Sequence, residues 1–103
     1  MVFRFPWFVD EWQKHDESMY QLVAKNIELA MGPGALDEKT KLLISLALDA
    51  FKGSGPGVKA LTEQARQQGA SQEEIQETLR IAYLMSSMEC LKASLEAYTH
   101  QKS

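Results

Sequence analysis

Leu36-Asp37-Glu38-Lys39-Thr40-Lys41-Leu42-Leu43-Ile44-Ser45-Leu46-Ala47-Leu48-Asp49-Ala50-Phe51-Lys52-Gly53 is the run that decides the fold. Leu42, Leu43, Ile44, Leu46, Ala47, Leu48, Ala50 and Phe51 cover most of a helix circumference. Lys41, Ser45, Asp49 and Lys52 leave a narrow polar stripe. Such a helix is expected to be central and buried. Asp37 is placed to cap its start, and Gly53 to end it.

Outward from this helix the apolar spacing stays helical, with no long strict alternation. Upstream, Met19, Leu22, Val23, Ile27 and Ala30 recur at threes and fours, and Gly32-Pro33-Gly34 stops that helix. There Gly supplies a left-handed cap and Pro refuses continuation. Downstream, Gly53-Ser54-Gly55-Pro56-Gly57 is a turn whose Pro suits the first turn of a helix running to Gly69. Ser71 and Glu74 form a capping box for a long last helix, extending to about Ala97. Ile75, Leu79 and Ala82 share one face, and Ile81, Leu84, Met85, Met88, Leu91 and Leu95 widen it. A helix apolar nearly all round needs cover on more than one side, so a subunit interface is expected. The class is all-α, about five helices in a single domain. Its parts are an aromatic arm and helical hairpin over 1–35, a core over 36–97 and a flexible tail over 98–103.

The chain has 103 residues, 45% hydrophobic and 24% charged, with a net charge of −3. These are ordinary values for one small globular domain. Charges of both signs are mixed, so no basic stripe exists for nucleic acid. Arg4, Pro6, Asp10 and Glu11 interrupt the N-terminal hydrophobic residues, which excludes a signal-peptide core or membrane span there. A cytoplasmic location is the default expectation. One cysteine, Cys90, allows no internal disulfide, and with only His15 and His100 beside it no zinc site is expected. No cofactor is implied.

Two further stretches bear on function. Leu36 to Ala47, as quoted, and Glu63-Gln64-Ala65-Arg66-Gln67-Gln68-Gly69-Ala70-Ser71-Gln72-Glu73-Glu74-Ile75 stand in order and at the right spacing. Together they resemble the carboxymuconolactone decarboxylase / alkylhydroperoxidase D-like family over roughly residues 36–97. The resemblance implies an alkylhydroperoxidase D-like helical bundle and a homotrimer or homohexamer. In redox members of the family a glutamate sits on the central helix. A Cys-x-x-Cys pair starts the next helix, with a histidine one turn on. A helix N-terminus and a nearby base lower a thiol's pKa, and the second sulfur resolves the product. Counting back from Ala65 and Gly69 puts the histidine position on Leu61, the cysteine positions on Ser54 and Gly57, and the glutamate position on Leu42. No Cys or His lies between Asp16 and Glu89. Thiol peroxidase activity is therefore not expected. The decarboxylases of the family keep the histidine, so decarboxylation of the lactone is not implied either.

The remaining candidates each have a plainer reading. Cys90 is a redox thiol or a small buried hydrophobe in mid-helix, and the second is preferred. Ser54, Gly55, Gly57 and Leu61 surround the family's pocket, where free N–H groups could hold a carboxylate or phosphate with Lys52 and Lys59 adding charge. The plainer reading there is an inter-helix turn. Asp49 is a general base if buried, or part of the polar stripe. Glu63 faces the pocket or solvent. His15 reads as solvated, and Glu73, Glu74 and Glu77 complement a helix dipole. Phe3, Phe5, Trp7, Phe8 and Trp12 are expected to pack on the chain's own core and a subunit interface, or else form a lid. Three functions follow. The first is a non-redox module, structural or binding a small apolar or carboxylate ligand. The second is an enzyme on a small carboxylate or lactone using Glu63 or Asp49. The third is a one-cysteine peroxidase through Cys90.

Overall fold

The computed structural model describes residues 4–99. Phe3, His100 and the end of the expected tail lie outside them. The elements are α1 (Trp7–Glu11), a 3-10 turn (Trp12–Lys14), α2 (Glu17–Met31), α3 (Glu38–Lys52), α4 (Gly55–Gln67), α5 (Gln72–Ser94) and α6 (Glu96–Thr99). No strand occurs among the described residues, so the all-α reading holds. The chain divides into two compact units, Met1–Lys41 and Leu42–Ser103.

In the first unit, Asp16 caps α2 by accepting from the Met19 N–H at 3.0 Å. Tyr20, Val23, Ala24, Ile27 and Met31 form the covered face of α2. That face is rotated from the expected stripe: Met19 is 41% and Leu22 67% exposed. Met31 ends the helix as expected, but Gly32 is no left-handed cap. It is extended, φ −72 and ψ 177, and the Lys41 ammonium donates to its carbonyl at 2.5 Å. A Cβ at Gly32 would meet the Glu28 carbonyl oxygen at 2.5 Å, so Gly is needed for space rather than for φ. Asp37 caps α3 as read, accepting from the Thr40 N–H at 2.8 Å. That bond holds its carboxyl below the ordinary value.

Of the N-terminal aromatics that were expected to pack on the chain's own core, Phe5 is half-buried but the rest of those described are not. Val9 is the buried residue of α1, whereas Trp7, Phe8 and Trp12 are exposed. Trp7 and Phe8 meet edge to face at 5.9 Å. An α1 of five residues offers one inward position per turn, and Val9 takes it.

In the second unit, α3 and α4 both end in Schellman motifs. Gly53 (φ 79) and Gly69 (φ 91) supply the left-handed residue. The N–H groups of Ser54 and Ala70 then reach back to the carbonyls of Asp49 and Ala65, both at 2.9 Å. Ser71 and Glu74 form the expected reciprocal capping box. The buried side chains of this unit are Leu42 and Leu46 of α3, Leu61, Gln64 and Ala65 of α4, Ala70, and Ile75 and Ala82 of α5.

Two expectations are corrected here. α3 is not buried all round, because Ile44, Leu48 and Phe51 are 46%, 56% and 53% exposed. Of its polar stripe, Lys41, Ser45 and Asp49 are half-buried and Lys52 is exposed. The long helix also breaks earlier than Ala97, at Leu95, where the N–H bonds three residues back to Lys92.

Candidate functional site

The last turn of α3, the Gly53–Ser54 turn and the first turn of α4 bring three of the sequence candidates together. Ser54 is the N-cap residue of α4, yet its side chain makes no capping hydrogen bond. The half-buried Asp49 carboxylate lies there instead. A Cβ built on Gly57 would collide with Asp49 Oδ2, and would stand 2.9 Å from Asp49 Cγ and 3.0 Å from Ser54 Oγ. Gly57 is thus glycine because a carboxylate fills the space beside it. The N-terminal turn of a helix favours negative charge, which explains why an acidic group settles there. Gly55 has nothing within 4 Å of an added Cβ.

The two leucines of the counted positions are both covered. Leu42 is 2% and Leu61 8% exposed. Leu61 shares its helix face with Gln64 and Ala65, spaced at three and four, and all three are buried. Gln64 is a buried polar residue that the sequence reading did not single out, although its spacing from Leu61 and Ala65 marks that face. It is not isolated, and no buried side-chain nitrogen or oxygen among the described residues lacks a hydrogen-bond partner.

The other candidates stand apart from this place. Glu63 and Lys59 are exposed on α4, and Lys52 is exposed at the end of α3. Cys90 is exposed on α5, which corrects the reading of a buried hydrophobe. The polypeptide around it contributes no cover, because α5 beyond Ala82 is almost entirely exposed. His15 is solvated as read, 3.7 Å from Glu11 with 65% of its side chain exposed. Among the described residues no group of three or more His, Cys, Asp or Glu is arranged to hold a metal ion. No described helix is long and apolar enough to cross a membrane. A shallow depression of about 430 Å³ lies along α5, lined by Gln76, Leu79, Arg80 and Tyr83. It opens to solvent and does not include the Gly-rich turn.

Comparison with known proteins adds the family. The sequence profile of the carboxymuconolactone decarboxylase family matches residues 17–99. The chain belongs to that family. The match takes in α2 as well as the stretch from Leu36 onward. An uncharacterized protein of Methanocaldococcus jannaschii is 31% identical over 85 residues, covering 82% of this chain and 79% of that protein. No solved structure matches. Within this family the chain carries leucine, serine, glycine and leucine at the positions counted for the glutamate, the two cysteines and the histidine.

Proposed function

We propose that this family member is a non-redox helical module that assembles with copies of itself, and that its former reactive centre has become packing. The observation that carries this reading is the burial of Leu42 and Leu61, at 2% and 8% exposure, in the places counted for the glutamate and the histidine. Two aliphatic side chains there neither take nor give a proton. Asp49 against Gly57 supports the same reading, since the space of a first-turn cysteine is occupied. The family resemblance points to a homotrimer or homohexamer. A small apolar or carboxylate ligand has no part in this reading, because leucine and aspartate side chains hold the place it would enter.

The test has two arms on the purified full chain. Peroxide consumption with an external dithiol should stay at the no-protein rate, and light scattering after size exclusion should give a multiple of the monomer mass at micromolar concentration. Peroxide turnover abolished by Cys90→Ser would replace this reading with a one-cysteine peroxidase. A monomer mass would remove the assembly.

A further inference from the structure

Helix α5 carries two apolar faces. Ile75, Leu79 and Ala82 form the covered one: Ile75 and Ala82 are buried and Leu79 is half-buried. Ile81, Leu84, Met88, Leu91, Leu95 and Tyr98 form the other. Their spacings of three, four, three, four and three are the a and d positions of a coiled-coil seam. At about 100° per residue the two sets point roughly 180° apart, so whatever covers the first leaves the second bare. All six seam residues are exposed, from 39% at Met88 to 65% at Leu91. The row passes the end of α5 without an extended residue. Leu95 keeps helical angles, φ −63 and ψ −22, and its carbonyl accepts from the Tyr98 N–H at 3.0 Å.

We infer that this seam is the contact by which the chain binds a second copy of itself, seam on seam about a two-fold axis, which a homohexamer contains and a homotrimer does not. The inference rests on the assembly reading above and assigns it a surface.

The area is sufficient. A Leu-sized side chain carries on the order of 100 Å² of apolar surface. Six of them, somewhat over half exposed, offer about 350 Å². With about 57% of an interface apolar, that corresponds to about 600 Å² per copy and about 1,200 Å² in total. This is the lower edge of the range for stable protein–protein contacts.

The seam also carries no charge that would set it against its own copy. It contains no charged residue, and the positions flanking it from Arg80 to Ser94 are Arg80, Met85, Ser87, Lys92 and Ser94. Arg80 and Lys92 are both cationic, and no alternating charge code is present to select a different helix. An all-apolar stripe is complementary to its own copy, as a two-fold contact requires.

The experiment is light scattering after size exclusion on the full chain, with circular dichroism to follow helix content. Met88→Glu and Leu91→Glu place a carboxylate in the middle of the seam. Ser86→Glu places the same charge on the same helix, away from the seam. The expected result is a wild-type oligomer whose mass falls at least two-fold in both seam variants and stays unchanged in Ser86→Glu. Should the glutamate variants lose helix, Met88→Ala and Leu91→Ala keep good helix formers in place. They should raise the concentration of half-dissociation by tenfold or more. An oligomer whose mass survives all four seam variants would overturn the seam and leave the assembly standing. A wild-type monomer would overturn both.

Discussion

Gly57→Ala tests whether the Asp49 carboxylate holds the start of α4. The new methyl would collide with Asp49 Oδ2 and lie 2.9 Å from Asp49 Cγ, so the carboxylate must rotate away. Leaving the helix N-terminus costs about 0.3–1 kcal/mol. Residual overpacking adds on the order of 1–3 kcal/mol where the neighbours cannot yield. Alanine returns at most about 1 kcal/mol of helix propensity, and less in the first turn. The net expectation is a loss of about 1–2 kcal/mol, or roughly 4–8 °C in melting temperature for each kcal/mol in a chain of this size. In an Asp49→Ala background only Ser54 Oγ, at 3.0 Å, still crowds the new methyl, and the same change should be close to neutral. Gly55→Ala is the control, since nothing lies within 4 Å of its added Cβ. Urea unfolding of the four members of the cycle, at one protein concentration, measures the coupling. If Gly57→Ala costs the same with and without Asp49, or is as benign as Gly55→Ala, the reasoning is refuted. The cycle bears on function as well, because a cysteine at 57 meets the same obstacle.

Two further outcomes are expected. Leu42→Glu and Leu61→His restore the family's residue types in buried positions. Leu42→Glu should cost about 3–5 kcal/mol as an unpaired buried charge, and Leu61→His about 1–3 kcal/mol as an unsatisfied polar group. Unchanged urea midpoints would show that the site still has room for polar chemistry. The Asp37 carboxyl is held below its ordinary value mainly by the Thr40 N–H, so it binds protons less readily folded than unfolded. Its contribution is present above the unfolded pKa, roughly pH 4, and is lost as pH falls further. Asp37→Asn keeps a good cap but should flatten that acid limb in thermal melts; a limb of unchanged steepness would remove Asp37 as its source.

What was legible in the sequence was local. The Asp37 cap, the Ser71–Glu74 box and the glycine stops at 53 and 69 need only neighbours within a few residues. They appear as read, along with the all-helical class. The family was legible too, because its two stretches keep their order and spacing. The lack of a Cys-x-x-Cys pair follows from residue identity alone.

Burial was another matter. The sequence of α3 is apolar nearly all round, yet Leu42 and Leu46 are covered while Ile44, Leu48 and Phe51 are not. A helical pattern shows how much of a surface can be buried, whereas the elements that arrive against it select the side. Cys90 is bare for the same reason. The pairing of Asp49 with Gly57 joins two residues eight apart through a Schellman turn, and neither residue type announces it. On α5 the sequence reads as one apolar face that widens until it runs nearly all round, and exposure resolves it into two rows about 180° apart. Only the tertiary structure decides which row is covered within the chain, because both rows are apolar and the difference lies in what packs on them.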